Sequence, residues 1–289
     1  MELRVDPLTG IEVAVARARQ GRPNRPSTDC PFCPGGMEAP EPYRTRAFVN
    51  RWPSFGGDRC EVVLYSPVHD ASLWSIGVDD AAAVVDLWAG RTAALAARDD
   101  VAYVLVFENR GEEVGATIAH PHGQIFAFDH VPAAPVGELA RAASLIDGGD
   151  RCPLCAESPG QRLVVEGGGW RAWVPWAATS PYGLVVAPTT HEPDLPSLTA
   201  AGRRGLAEVL VDVLGRLDRL WHAPMPYMLW FHQRPCDGGD WPQAHLHAEV
   251  NVPLRAPGVM RYVAGGELGS GMFINPVAPE DAADALRDA

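Results

Sequence analysis

The sequence predicts an α+β protein built from two tandem copies of one unit, each an antiparallel sheet with a helix packed on it. A repeated count of residues is the first reason. Cys30-Pro31-Phe32-Cys33 is matched by Cys152-Pro153-Leu154-Cys155, and in both copies the next marked histidine, His69 or His191, lies 39 residues after the first cysteine. The second reason is that each of these histidines precedes Ala/Leu/Val/Arg-rich text with acids near its front, 79–98 and 199–221, which has the composition of a helix. The third is that each helix precedes a β-rich run, 101–107 or 227–231, that leads to a His-x-His: His120 and His122, then His245 and His247.

The elements follow in order from that frame. The start, Met1-Glu2-Leu3-Arg4-Val5-Asp6, lacks the apolar centre of a signal peptide, so a cytoplasmic protein is expected. Arg46-Ala47-Phe48-Val49 resembles Arg171-Ala172-Trp173-Val174, one strand in each copy. The strand text 63–69, ending Ser66-Pro67-Val68-His69, resembles 184–191, ending Pro188-Thr189-Thr190-His191. The helix, the β-rich run and the His-x-His strand complete each unit. The Ala/Pro-rich stretch 132–149 is the join, and 253–289 is a tail whose final helix Pro279-Glu280-Asp281 can start. The expected domains are therefore 1–131, carrying the catalytic site, a linker or helix at 132–149, a second unit at 150–252, and a tail at 253–289 that completes the pocket.

Composition narrows the function. A chain of 289 residues with 47% hydrophobic and 21% charged residues can fill two ordinary cores. A net charge of −12 argues against nucleic-acid and anionic-membrane binding, which need clustered cations, and no stretch of about 18 apolar residues could span a bilayer. Four of the six cysteines form the two Cys-x-x-Cys pairs, which in a reducing compartment points to metal or redox chemistry. A redox pair needs no histidine at a repeated distance. Each half instead offers two thiolates and two imidazoles, Cys30, Cys33, His69 and His120, then Cys152, Cys155, His191 and His245, the set zinc prefers in closed tetrahedral sites. Two zinc ions per chain are expected. Cys60 and Cys236 have no place in this scheme and read as buried free thiols. The nine tryptophans, Trp52, Trp74, Trp88, Trp173, Trp176, Trp230 and Trp241 among them, are expected to pack between sheet and helices, and Gly265 to Gly271 lacks the lysine of a phosphate-binding loop.

His120-Pro121-His122-Gly123-Gln124 carries the chemistry. On a strand, His120, His122 and Gln124 share one face. With His120 held by metal, His122 is left as a neutral imidazole, a good nucleophile toward phosphorus if its second ring nitrogen donates to a carbonyl. Gln124 can donate its amide to a phosphate oxygen without adding negative charge. In the second copy Glu249 stands at that spacing after His247, so one catalytic site is expected, in the first half, and His247 reads as structural.

The same residues resemble the galactose-1-phosphate uridylyltransferase branch of the histidine-triad superfamily over nearly the whole chain. Asn109, Gly115 and Thr117 precede the His-Pro-His-x-Gln run, with Thr where the family has Ser; Asp6 to Gly10, Arg19 to Pro23, Asn50 and Ser66 to His69 also match. The resemblance implies two histidine-triad-like domains and a homodimer. It implies that His122 attacks the α-phosphorus of a nucleoside diphosphate sugar, that hexose 1-phosphate leaves, and that a second sugar 1-phosphate takes the nucleotide, with UDP-glucose and galactose 1-phosphate as the default pair. Arg19, Arg22, Asn50 and Asn109 would hold nucleotide and phosphates, and Arg261 and Glu267 in the tail align with hexose-contacting residues. Gly266, however, stands where the family has Tyr, and no Gln follows before Asn275. The second metal, with iron as an alternative to zinc, has a competing ligand set in some members, here Glu138, His232, His245 and His247. Two further readings follow: a phosphorylase or adenylyltransferase acting on ADP-glucose or a dinucleoside polyphosphate, and a zinc-stabilised nucleotide-binding protein without turnover.

Overall fold

In a computed structural model, which describes residues 2–16, 30–54, 56–149 and 151–289, the two copies of the repeat meet in one continuous sheet. An exposed hairpin comes first, β1 (Glu2–Val5) and β2 (Glu12–Val15). The first copy is β3 (Arg46–Val49), β4 (Cys60–Leu64), α1 (Val78–Ala96), β5 (Tyr103–Arg110) and β6 (His122–Phe128). Helix α2 (Ala133–Asp147) makes the join, and α3 (Pro153–Ala156) carries the second Cys-x-x-Cys. The second copy is β7 (Leu163–Gly167), β8 (Trp170–Trp173), β9 (Leu184–Pro188), α4 (Ala200–Leu220), β10 (Tyr227–His232) and β11 (His247–Asn251). The tail holds the short pair β12 (Leu254–Ala256) and β13 (Val259–Met260), then α5 (Gly265–Ser270) and α6 (Pro279–Asp288).

The sheet runs β3-β4-β6-β5-β10-β11-β9-β8-β7, antiparallel throughout. Its centre is the β5–β10 seam, where Phe107 faces Trp230 and Arg110 faces Tyr227 across the two copies. Alternation sorts the strands. Val104, Val106, Ile125 and Ala127 turn to one face and join the core under α1 and α4, with Val84, Val85 and Trp88 from one helix and Leu206, Leu210 and Val213 from the other. Phe107, Asn109, His122 and Gln124 turn to the opposite face. Helix α4 is capped by Thr199, whose Oγ1 accepts from the Gly202 amide at 3.1 Å. Asp218 of α4 receives Arg110 of β5 at 2.6 Å and the Trp74 indole at 2.6 Å, a half-buried tie between the copies.

Two expectations need correction. Trp88, Trp170 and Trp173 pack in the core as expected, but Trp176 is 75% exposed and Trp52 stands at a pocket edge. Cys60 is buried, whereas Cys236 is half-buried and its thiol faces the Val101 carbonyl at 3.6 Å. The glycine-rich 265–271 segment forms the single helical turn and a half of α5, closed by Gly271 at φ 72°. No helix among the described residues is long and apolar enough to cross a membrane.

Candidate active site and metal centres

Strand β6 begins at His122, and its pairing with β4 puts Leu64 opposite His122 and Val62 opposite Gln124. The His122 ring is oriented by its own strand. Its Nδ1–H donates to the His120 carbonyl at 2.8 Å, which fixes the tautomer with the lone pair on Nε2. The Phe32 ring stands edge-on to it, 5.1 Å between centroids. Gln124 Oε1 accepts from Asn50 Nδ2 at 3.3 Å, and Asn50 Oδ1 in turn accepts from the Trp52 amide at 2.8 Å. That arrangement turns the Gln124 amide hydrogens away from Asn50.

A cavity of about 680 Å³ opens on this row, lined by Phe32, Phe48, Asn50, Trp52, Thr117 and His122 among others, with Gln124 beside His122. Its size suits a nucleotide, and its aromatic walls suit a base or sugar. Of the residues expected to bind substrate, Asn50 and Thr117 line it. Asn109 lies two residues beyond Phe107, which pairs with Gln124, so it shares the face of His122 one strand away. Gly115 closes a short turn after 112–114 at φ 85°. Arg261 and Glu267 are not among the cavity's lining residues. They form a close ion pair inside the tail, where the Ile274 and Ala264 amides, at 2.8 and 2.9 Å, hold the Glu267 carboxyl below the usual range. Arg19 and Arg22 lie outside the described residues.

Behind the cavity wall stands the first Cys/His cluster. The Cys33 thiol lies 3.5 Å from His69 Nδ1 and 3.6 Å from His120 Nδ1, and all four ligand atoms of Cys30, Cys33, His69 and His120 lie within 4.8 Å of one another. Tetrahedral zinc, with bonds of about 2.3 Å to sulfur and 2.0 Å to nitrogen, sets sulfur and nitrogen about 3.5 Å apart, so the donors fit the ion. His120 is fully buried, and that burial, with His69 close by, keeps it neutral by lowering its pKa. Its Nε2–H is directed at the Ser66 carbonyl at 2.8 Å and the Tyr43 hydroxyl at 2.8 Å, which leaves Nδ1 for a cation. Tyr43 was not marked from sequence; its hydroxyl donates to the Phe32 carbonyl at 2.7 Å, and nothing local in the text of 40–45 signals that. Burial first, then the Cys30 thiol beside it, push the Cys33 thiol up; a divalent cation reverses that balance.

The second copy repeats the arrangement. Cys152 Sγ is 3.4 Å and Cys155 Sγ 3.5 Å from His245 Nδ1, and Cys155 Sγ is 3.5 Å from His191 Nδ1. Burial, then His191, lowers the His245 pKa to about 4, again a neutral ligand. The competing set divides: His245 stays with the cysteines, while Glu138, His232 and His247 gather with Glu249, their donor atoms within 4.8 Å of one another. His247 Nδ1–H donates to the His245 carbonyl at 2.9 Å, so Nε2 faces Glu138 Oε1 at 3.4 Å. His232 and Glu138 make a close pair, and His232 Nδ1 is 3.8 Å from Glu249 Oε1. Burial opposes charge on both partners, yet the pairing leaves Glu138 below and His232 above its usual range. Two carboxylates with two imidazoles form a harder donor set than cysteine and histidine.

Two family models match, the galactose-1-phosphate uridyl transferase N-terminal domain over residues 53–132 and its C-terminal domain over residues 120–288. A galactose-1-phosphate uridylyltransferase of Thermotoga maritima is 37% identical over an alignment covering 100% of this chain and 98% of that protein. A solved uridylyltransferase structure superposes with a TM-score of 0.90 at 30% identity, covering 100% of this chain and 98% of that one. An ADP-glucose phosphorylase from Arabidopsis thaliana, solved with bound ADP-glucose, superposes with a TM-score of 0.82 at 25% identity, covering 100% and 98%.

Proposed function

The chain belongs to the galactose-1-phosphate uridylyltransferase family, and we propose that it moves a uridylyl group between UDP-glucose and galactose 1-phosphate by way of His122. Nε2 of His122 attacks the α-phosphorus; a P–N bond forms, the bond to the bridging oxygen breaks, and glucose 1-phosphate leaves with that oxygen's electron pair. A phosphate oxygen of galactose 1-phosphate then attacks the same phosphorus, the P–N bond breaks, and UDP-galactose departs. The observation that carries this reading is the 2.8 Å bond from His122 Nδ1 to the His120 carbonyl, which directs a neutral nitrogen lone pair outward. Gln124, held by Asn50, is read as the amide donor to a phosphate oxygen, and Asn109, Gly115 and Thr117 as ligands of the nucleotide and its phosphates. Arg19 and Arg22 belong to the same proposal as phosphate ligands.

Metal chemistry is assigned by donor type. The sets Cys30, Cys33, His69, His120 and Cys152, Cys155, His191, His245 suit zinc, which would fix the His120 backbone that orients His122. Glu138, His232, His247 and Glu249 suit a harder divalent ion such as iron. The division into 1–131, 132–149, 150–252 and 253–289, a cytoplasmic location and a homodimer complete the proposal. Exposed Tyr262, Leu268, Met272 and Phe273 in the tail offer apolar surface that a second copy would cover, with Arg261 and Glu267 shaping that segment.

The second reading, phosphorolysis of ADP-glucose, is favoured by the likeness to the ADP-glucose phosphorylase structure and by a tail in which Gly266 stands where the family has Tyr. An isotope-exchange assay separates them. Label moves from glucose 1-phosphate into UDP-glucose, without galactose 1-phosphate present, under the first; exchange confined to ADP-glucose favours the second. Exchange with neither nucleotide sugar removes both and favours either a dinucleoside polyphosphate substrate or a binding protein without turnover.

A further inference from the structure

A buried polar cluster lies beneath the active-site strand, and nothing in the chemistry above uses it. Tyr65 follows β4 directly. Its amide donates to the Pro121 carbonyl at 3.1 Å, while its side chain turns to the helix side of the sheet. There its hydroxyl presses on the backbone of β6, for a Cβ built on Gly123 would lie 2.1 Å from Oη. Tyr65 thus touches the chain on both sides of His122, at residues 121 and 123. The ring is 0% exposed and stands edge-on to Trp88 of α1 at 5.6 Å.

Glu108 of β5 is 3% exposed and turns to the same side. Its Oε1 accepts from the Tyr227 hydroxyl of β10 at 2.9 Å. Its Oε2, the Tyr65 hydroxyl and the Trp88 indole nitrogen make no hydrogen bond of normal geometry among the described residues, although Tyr65 and Glu108 are close enough to shift each other's ionisation. The other charge nearby, Arg110 on the same strand, is engaged by Asp218 of α4 at 2.6 Å. Burial raises the Glu108 carboxyl to about 7. A buried carboxyl is costly where an apolar side chain of similar volume would pack. Here it meets Tyr227 of β10 and lies beside Tyr65, which in turn packs on Trp88 of α1 and on the backbone next to His122.

We propose that Tyr65 is a positioning residue for His122 and that Glu108 acts through Tyr65, holding its ring at the height that sets the 121–123 backbone. The proposal rests on the role given to His122 above. Glu108→Gln keeps an acceptor for Tyr227 and a polar partner for Tyr65; Glu108→Leu keeps the volume and removes both; Tyr65→Phe keeps the ring and removes the hydroxyl that presses on Gly123. Two readouts apply to the full-length, metal-loaded protein. In the free enzyme, proton and nitrogen NMR reads the His122 Nδ1–H bonded to the His120 carbonyl; its downfield signal is expected to move upfield in Glu108→Leu and Tyr65→Phe and to be retained in Glu108→Gln. In turnover, kcat is expected to fall on the order of tenfold in the first two, because small displacements of a reacting atom are costly, with KM for UDP-glucose within twofold and Glu108→Gln close to wild type. Unchanged NMR signals in folded Tyr65→Phe and Glu108→Leu, or a loss confined to melting temperature, overturn the proposal. The NMR arm needs no substrate, so a wild-type protein inactive toward every nucleotide sugar would defeat the reading of His122 and leave this test standing.

Discussion

Adding one methyl group at Gly123 should damage both stability and rate. The new Cβ would lie 2.1 Å from Tyr65 Oη and 2.9 Å from the Phe107 carbonyl, against optimal separations of about 3.5 Å. Neither neighbour can give way cheaply. Phe107 is held in the ladder opposite Gln124, and Tyr65 is 0% exposed, wedged against Trp88 and tied by its amide to Pro121. Overpacking of this kind costs about 1–3 kcal/mol, and for a chain of this length each kcal/mol is worth about 2 °C in melting temperature. The strand must move to relieve the clash, and a displacement near 1 Å at the nucleophile costs about 100-fold in rate. Thermal unfolding of the metal-loaded protein and single-turnover release of glucose 1-phosphate read the two effects. Adding Tyr65→Phe removes Oη and leaves Cζ, 3.0 Å away, as the nearest ring atom, so the double variant should regain at least about 0.5 kcal/mol relative to additive losses. A Gly123→Ala protein with wild-type melting temperature and wild-type single-turnover rate would mean that Tyr65 does not confine the strand at residue 123.

Other perturbations separate the roles of the metal centres, Gln124 and Glu108. Cys33→Ser and Cys152→Ser should each lose one zinc by elemental analysis, but only Cys33→Ser should also cut the uridylyl-transfer rate, by about 10–100-fold, because His120 orients His122; equal losses from both would contradict the division of labour. Gln124→Glu sets a carboxylate where a phosphate oxygen is bound, and like charges about 4 Å apart in a partly buried site cost about 4 kcal/mol, so kcat/KM should fall about a thousandfold; a loss under tenfold would remove Gln124 from the phosphate. Glu108 has a carboxyl raised from 4.5 in the unfolded chain to about 7 in the fold, so the folded state holds its proton more tightly. The stability this gives is fully present below pH 4.5 and is lost as pH rises through about 7, roughly 3 kcal/mol in all. The stability of Glu108→Gln minus that of wild type should therefore grow across that window in urea titrations; a difference constant with pH would mean that Glu108 is charged throughout.

Much of this was legible in the text because a duplication writes every long-range constraint twice. The 39-residue count found both Cys/His clusters, and composition placed the helices within about two residues, 79–98 against Val78–Ala96 and 199–221 against Ala200–Leu220. What failed to show was pairing between distant segments. The β5–β10 seam joins residues more than a hundred positions apart, so nothing local marks the two sheets as one. Glu249 could be placed on the face of His247 by alternation, but its meeting with Glu138 and His232 depends on the β10–β11 register and on where α2 lies. Trp52 and Trp176 looked like core residues because size and hydrophobicity cannot tell a core wall from a pocket edge. Arg261 and Glu267 were marked by resemblance alone, and their pairing with each other across the turn of the tail has no local signal in the text.

Covalent nucleotidylation of His122 can be read directly by mass. The wild-type protein, mixed with UDP-glucose in the absence of acceptor, quenched in base and measured by intact mass, should gain one uridylyl group per chain. Acid should release it, peptide mapping should place it on His122, and glucose 1-phosphate should be freed in equal amount. A folded, metal-loaded protein that gains no mass with UDP-glucose or ADP-glucose, or that carries the adduct on another residue, would mean that His122 is not the nucleophile.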